Sequence, residues 1–105
     1  MLQIFDIKKG DKFSFTVTFK NLTVDLTTFS FGVKLNYSDA NRLITKTLGS
    51  GITKISDGKY EIDLSSSDTD SLLPDLYVYD LRLTIEDIVY TPLYGYLNIQ
   101  ETVFD

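Results

Sequence analysis

The sequence of 105 residues contains no cysteine, no histidine and no tryptophan. Without cysteine it has no disulfide, thiol nucleophile or thiolate metal site, and without histidine it lacks the usual general base and the commonest metal ligand. No apolar run approaches the roughly 20 residues that a membrane-spanning helix needs. Residues 1–12 lack the basic start, long apolar stretch and cleavage site of a secretory signal, which predicts a protein made and kept in a cytoplasm, away from membranes.

The length and charge of the chain further restrict the number of domains and the kinds of partner that it can have. A chain of 105 residues with 43% hydrophobic residues supports one core, so residues 1–105 are predicted to form a single domain. The net charge of −5 argues against a nucleic-acid partner, because binding to phosphate backbones rests on Lys and Arg. Residues 1–54 hold eight Lys/Arg and four Asp (+4), whereas residues 55–105 hold two Lys/Arg and eleven Asp/Glu (−9). Either the surface is two-signed or the halves interleave and cancel locally, and the mixed surfaces of soluble proteins favour the second reading.

Alternation of apolar and polar residues dominates the sequence. Residues 13–20, 29–37, 60–64 and 77–86 each place large apolar side chains at every second position, which is typical of strands with one buried face. Weaker strands are predicted at residues 2–7, 42–48, 52–56, 89–92 and 94–100, the last running on as far as residue 103. The total is seven to nine strands. Two packed antiparallel sheets follow, because a single such sheet would leave its apolar face in water.

Turn residues separate these strands. Asp57-Gly58 favours a tight hairpin that pairs residues 52–56 with residues 59–64. The polar residues 65–71 form the longest predicted connection. Residues 72–74 are predicted to make one short helical turn, capped by Ser67 or Asp68 and stopped by Pro74.

Two tyrosines belong to the predicted core. Tyr77 and Tyr79 are in phase with Leu81 and Leu83, and Tyr77 opens its strand just after Pro74. Sandwich domains often place there a tyrosine whose hydroxyl bonds to upstream backbone, and the same bond is predicted here.

Catalysis is not expected. A pair of carboxylates of the glycosidase type is the strongest enzymatic alternative, but twelve Asp and three Glu make chance proximity easy and a small sandwich has little depth for a substrate groove. Ser66, Asp68 and Asp70 offer oxygens to calcium, yet they lack a recognised ligand spacing, so solvated turn residues are the favoured interpretation. No cofactor or metal is predicted.

Tyr94 and Tyr96 are the candidate interface residues. They flank Gly95 and are opposite in phase to Leu93 and Leu97, which predicts that they point outward. Tyrosine is enriched at protein interfaces and also forms platforms for sugars, so a protein-binding surface and a small carbohydrate-binding module both remain open. Ordinary surface tyrosines are the third interpretation.

Three segments, taken together, are similar to one known family. They are Val24-Asp25-Leu26-Thr27, then Gly58-Lys59-Tyr60-Glu61-Ile62-Asp63-Leu64 followed by Asp68-Thr69, and Tyr77-Val78-Tyr79-Asp80-Leu81. In order and spacing the chain resembles the N-terminal immunoglobulin-like domain of phage upper-baseplate proteins. Residues 89–99 are similar to that family's closing hairpin, in which a Leu and a Gly precede the last strand.

This resemblance implies an all-β, immunoglobulin-like antiparallel β-sandwich that acts as a non-catalytic structural module of the virion. Its implied partners are other virion structural proteins or further copies of itself, on the tail, baseplate or capsid, and its implied location is the particle. The chain has Asp75 where the family usually has Gly, and it ends at Asp105 where family members continue into a receptor-binding region. An adaptor or decoration role on the head or neck therefore stands beside the baseplate role.

Overall fold

A computed structural model of the chain describes residues 2–19, 28–85 and 88–103. The strands are β1 (Leu2–Lys8), β2 (Phe13–Thr18), β3 (Thr28–Lys34), β4 (Ile44–Leu48), β5 (Gly51–Ser56), β6 (Lys59–Leu64), β7 (Asp75–Ile85) and β8 (Ile88–Gln100). One short helix, α1 (Ser66–Asp70), lies between β6 and β7. No helix within these ranges is long and apolar enough to cross a membrane. Lys20, at the end of the strand predicted over residues 13–20, and the segment 24–27 lie outside the described residues.

All eight strands form one hydrogen-bonded sheet in the order β1-β8-β7-β3-β4-β5-β6-β2. The neighbours are antiparallel except β1–β8 and β4–β5, which are parallel. The β4–β5 pairing involves only two residue pairs, and there the sheet passes from a front layer (β1, β8, β7, β3, β4) to a back layer (β5, β6, β2). Rings from the two layers meet, since the centroids of Phe29 and Tyr60 are 4.9 Å apart. The predicted all-β sandwich is confirmed.

Alternation puts the core between the layers, as the sequence predicts. In β6, β7 and β3 every second residue is buried, including Tyr79 and Phe31, which are 1% and 0% exposed. Each fully buried side chain of this size contributes roughly 1.5–3 kcal/mol through loss of apolar surface to water. The inward residues of these strands therefore provide most of the energy that holds the layers together.

Aromatic rings fill the centre of the sandwich. Antibody domains connect their layers with a disulfide and pack a tryptophan against it, and this chain has neither residue. Instead Phe31 lies 5.6 Å from Phe15 and 5.5 Å from Tyr79, and Phe5 lies 4.8 Å from Phe15, all measured between ring centroids. Rings at these distances attract one another beyond their burial alone, so a cluster of four aromatics joins β1, β2, β3 and β7.

Both buried tyrosines of β7 have a backbone acceptor. The Tyr77 hydroxyl donates to the Leu73 carbonyl at 2.6 Å, which confirms the predicted bond to upstream backbone. The Tyr79 hydroxyl donates to the Gln3 carbonyl at 2.9 Å and so connects β7 to β1. Burial, followed by the proximity of Tyr37, raises the pKa of Tyr79 to about 12.

The hairpin at Asp57-Gly58 is confirmed, with β5 antiparallel to β6 and Gly58 at a positive φ of 74°. The predicted helical turn over residues 72–74 is wrong. The helix begins earlier, because Ser65 is a better cap: its side chain accepts from the Asp68 N–H, and the Asp68 carboxylate accepts from the Ser65 N–H. Leu72 is instead buried in the core.

Two strand ends also differ from prediction. The strand predicted over residues 29–37 stops at Lys34, because the Asp39 N–H donates to the Asn36 carbonyl and the Asn36 N–H donates to the Asp39 carboxylate, forming a turn. The strands predicted at 89–92 and 94–100 are one strand, β8, which ends at Gln100 and shifts register opposite Arg82. Pro92 lies at that shift, as expected for a residue without an N–H.

The two oppositely charged halves of the sequence interleave. Cations of the first half pair with carboxylates of the second, with Lys9 Nζ 3.1 Å from Asp70 Oδ1 and Lys46 Nζ 2.7 Å from Asp68 Oδ2. In the front layer, β8 and β7 of the second half lie between β1 and β3 of the first half. The structure therefore favours local cancellation of charge over a two-signed surface.

Candidate functional site

The outer side of the front layer, called the front face below, carries tyrosines of β8 that are in register with residues of the neighbouring strands. Directly paired residues lie on the same side of a sheet. One row across it runs Ile4 (β1), Tyr96 (β8), Val78 (β7), Lys34 (β3), and the next contains Tyr94 (β8), Asp80 (β7), Gly32 (β3). Four neighbouring strands therefore hold the front face on a rigid support.

The structure places both predicted interface residues on the front face. Tyr94 is 44% exposed and Tyr96 is half-buried, whereas Leu97, in the opposite phase, is fully buried. The outward orientation follows from the alternation along β8. A role of Tyr94 and Tyr96 in binding remains a prediction.

Tyr37 joins these two tyrosines, although the sequence predicts that it points into the core. The strand ends at Lys34, and the turn that follows leaves Tyr37 57% exposed. Partial burial and then the proximity of Asp80, Tyr96 and Tyr94 raise the pKa of the Tyr37 hydroxyl, so these groups lie close together. The signal available in the sequence is the Asn36-x-x-Asp39 spacing, which is typical of a turn closed by side-chain bonds.

Apolar side chains extend the tyrosine cluster. Ile4 is 55% exposed at one end of the Tyr96 row, and Leu76 is 48% exposed two residues before Val78 on β7. Single exposed apolar residues are ordinary, but adjoining ones rimmed by charge are typical of interaction surfaces. The front face combines three tyrosines with such neighbours.

A cavity of about 270 Å³ opens beside the tyrosines. Its lining includes Lys34, Arg42 and Arg82, together with Tyr37 and Asp80. Three cations and one carboxylate give this part of the front face a formal charge of +2, on a chain whose total is −5. Sequence reasoning missed the cavity because its cations come from three separate segments.

In the part of the chain that the structure describes, the two edge strands of the sheet, β1 and β2, do not pair with each other. The alternate apolar residues of β2 are only half-buried, although their partners on β6 are buried. A cleft of about 420 Å³ lies between the two edges, lined largely by Phe5, Phe15, Val17 and Leu93. Unpaired edges of this kind can accept another strand.

The acidic residues near α1 are engaged with the protein's own cations. Asp68 contacts Lys46 and caps the helix, and although burial alone would raise its pKa, hydrogen bonds from Lys46 and Ser65 lower it. Asp70 pairs with Lys9. Across the described ranges no three Asp or Glu side chains gather where they could hold a metal ion. These contacts fit turn and capping residues, the interpretation that the sequence favours over calcium ligands.

No protein-family model matches the sequence, and no curated protein matches it. Solved structures do match. The extracellular domain of the voltage-gated sodium channel beta4 subunit, described as forming parallel homodimers that explain its role in cell-cell adhesion, aligns with a TM-score of 0.50 and 17% identity over 97% of this chain and 93% of that chain. An extracellular fragment of novel immune-type receptor 11 from Ictalurus punctatus aligns with a TM-score of 0.48 and 12% identity, over 100% and 88% of the respective chains.

At identities this low the likeness concerns the fold alone. It shows that the chain is an all-β sandwich of the immunoglobulin-like type, as the sequence predicts. The Tyr77 hydroxyl bonded to upstream backbone is a further feature of that architecture.

Proposed function

We propose that this immunoglobulin-like domain is a non-catalytic module that binds other proteins through its front face, and that it does so as a structural component of a phage particle. The observation that carries the proposal is the outward position of Tyr94 and Tyr96 on β8, in register with the neighbouring strands, with Tyr37 beside them in the turn after β3. In the particle the domain is an adaptor or a decoration on the tail, baseplate or capsid.

Physical chemistry favours a protein as the occupant of the front face. Tyrosine buries a large ring at the cost of only two side-chain torsions, and its hydroxyl finds polar partners at the rim of an interface. Ile4 and Leu76 add apolar area that a protein surface can cover. The strands beneath lose little freedom on binding, which reduces the entropic cost of association.

The assignment to a phage particle rests on the resemblance to upper-baseplate proteins. Two of the three similar segments lie within the described residues, on β6 and β7 in the two layers of the sandwich. Virion proteins are repeated by symmetry, so one docking surface would be used in several copies. A second copy of the chain is one possible partner, since the beta4 domain is described as a homodimer, and the analogy is one of fold alone.

Mass spectrometry of purified particles tests the proposal. The chain should co-purify with the particle in a fixed stoichiometry, and a Tyr94→Ala, Tyr96→Ala double variant should be strongly depleted. Tyr90→Ala is the matched control, because Tyr90 is as exposed as Tyr94 (46% and 44%) but pairs with the buried Leu83 and so does not belong to the front face. Absence of the wild-type chain from the particles would remove the phage role.

A glycan array separates the proposal from the carbohydrate-binding alternative. The wild-type domain and the same double variant are applied to host and mucosal glycans. The proposal expects neither protein to bind any glycan. Binding by the wild type that the double variant loses would make the tyrosines a sugar platform instead.

A further inference from the structure

We propose that the cavity beside the tyrosines receives a carboxylate side chain, so that the partner of the front face presents an Asp or Glu there. The inference rests on the proposed function and names the chemistry of the partner.

The cations that line the cavity lack acidic partners. Within residues 2–19, 28–85 and 88–103, neither Arg42 nor Arg82 makes an ion pair or a side-chain hydrogen bond. Lys34 is positioned by its Nζ, which donates to the Asp39 carbonyl at 2.8 Å. Other cations of the chain do find carboxylates, such as Lys46 with Asp68. On a protein with an excess of five negative charges, a cavity with a formal charge of +2 is complementary to an acidic group of a partner.

The Arg42 side chain packs over Gly32 on β3. A Cβ at residue 32 would come within 2.7 Å of Arg42 Cδ and 2.8 Å of Nε, so the arginine side chain lies flat on the strand where a side chain is missing. The loop that carries Arg42 is held to β3 by the Leu43 N–H, which donates to the Val33 carbonyl at 2.7 Å. The Arg42 guanidinium, which is exposed, is thereby placed in the wall of the cavity with its hydrogen-bond donors accessible to an anion.

A protein partner supplies its anions as carboxylate side chains. The Asp80 carboxylate lies in the cavity wall, directly across the sheet from Gly32, and together with the three cations leaves a formal charge of +2 that attracts such a group. Guanidinium groups match a planar carboxylate with two parallel hydrogen bonds. The Tyr37 hydroxyl, which is protonated at neutral pH, is a further donor in the cavity wall. A cavity of 270 Å³ has the volume of about nine liquid waters, enough for one acidic side chain.

A nuclear magnetic resonance titration of the whole domain tests the inference. The probes are the peptide acetyl-Glu-Leu-Glu-amide, its matched neutral form acetyl-Gln-Leu-Gln-amide, and inorganic phosphate. The acidic peptide should shift the backbone amides of Gly32, Asp80 and Arg82, while the neutral peptide should not. Phosphate should bind more weakly than the acidic peptide. Equal or tighter binding of phosphate, or the absence of any shift with the acidic peptide, would overturn the inference.

Charge variants locate the site. An Arg42→Gln, Arg82→Gln double variant should weaken binding of the acidic peptide about tenfold, the usual effect of removing hydrogen bonds to a charged group. Asp80→Asn should strengthen it, because a repulsive charge is removed. Lys12→Gln with Lys59→Gln is the control, since it removes the same charge at exposed positions outside the cavity. An equal loss in the control would reduce the effect to overall charge and refute the site.

Failure of this inference is distinguishable from failure of the proposed function. If the acidic peptide does not bind but the Tyr94→Ala, Tyr96→Ala variant is still lost from particles, the front face remains the docking surface and its partner is not acidic at this point. If the peptide binds while the tyrosine variant is incorporated normally, the cavity binds carboxylates but the docking surface lies elsewhere.

Discussion

The two sides of the front layer use the same residue type for different purposes. On the inner side Tyr77 and Tyr79 are 5% and 1% exposed, and their hydroxyls donate to backbone carbonyls. On the outer side Tyr94 and Tyr96 face solvent, and nothing in the described part of the chain bonds to their hydroxyls. The comparison shows that the phase of a tyrosine along its strand decides whether it stabilises the domain or stays available to a partner.

The largest expected effect comes from Gly95, which lies between the two outer tyrosines. Gly95→Ala should lower the free energy of unfolding by about 3 kcal/mol or more. The added Cβ would lie 1.9 Å from the Gln3 carbonyl oxygen, so β1 and β8 could not keep their pairing. Urea denaturation measures the change.

Gly49→Ala is the matched control. Gly49 has a positive φ of 89° but nothing within 4 Å of a Cβ, so its substitution should cost only about 1 kcal/mol of backbone strain. Equal losses at the two glycines would mean that close approach to Gln3 does not constrain β8.

The inner side should make stability sensitive to alkaline pH. The pKa of Tyr79 is raised to about 12 in the folded chain, against about 10 when unfolded. The folded state therefore binds the proton more tightly than the unfolded state. The contribution of the Tyr79 hydroxyl to the free energy of unfolding is complete below pH ~10 and is lost as the pH rises through 12. The loss amounts to about 2–3 kcal/mol in all.

Tyr79→Phe removes the titrating hydroxyl and provides the comparison. The free energy of unfolding, measured from pH 9 to pH 12, should fall less steeply in the variant than in the wild type. The variant should also lose about 1 kcal/mol near neutral pH, because the Gln3 carbonyl loses its donor. An unchanged alkaline slope would show that Tyr79 is less buried than described.

A smaller difference in stability is expected when a tyrosine hydroxyl is removed from the inner side and from the outer side of the front layer. Tyr77→Phe should lower the free energy of unfolding by about 1 kcal/mol, since the bond to the Leu73 carbonyl is lost. Tyr96→Phe should change it by less than about 0.5 kcal/mol, as expected for a surface position. Paired denaturation curves at neutral pH measure the difference, and a larger loss at Tyr96 would contradict the division between the two sides.

A similarly small effect on stability is expected for Tyr94→Ala. The ring is 44% exposed, so its removal should change the free energy of unfolding by only about 0.5 kcal/mol. Thermal unfolding of the variant beside the wild type provides the measurement. A large loss would make Tyr94 part of the core and weaken its assignment to the docking surface.

Local alternation was sufficient to predict the strands and the orientation of Tyr79 and Tyr94, because the side-chain period of a strand is two wherever one face is buried. It failed at Tyr37, where the turn closed by Asn36 and Asp39 ends the strand before the alternation does. The helix was misplaced because Ser65 caps more effectively than the residues after it.

The basic cavity could not be predicted from any local pattern. Lys34, Arg42 and Arg82 come from β3, the loop after it and β7, and only the pairing of β3 with β7 brings them together. The partner chemistry of the front face therefore depends on long-range topology, whereas its tyrosines on β8 could be recognised from their phase.

Hydroxyl-radical footprinting, read by mass spectrometry on the free chain and on the chain in purified particles, tests most directly that the front face is the docking surface. Tyr37, Tyr94 and Tyr96 should be oxidised in the free chain and protected in the particle. Tyr90, with an exposed fraction of 46%, should be oxidised to the same extent in both. Protection of Tyr90 together with continued oxidation of the other three would contradict the account.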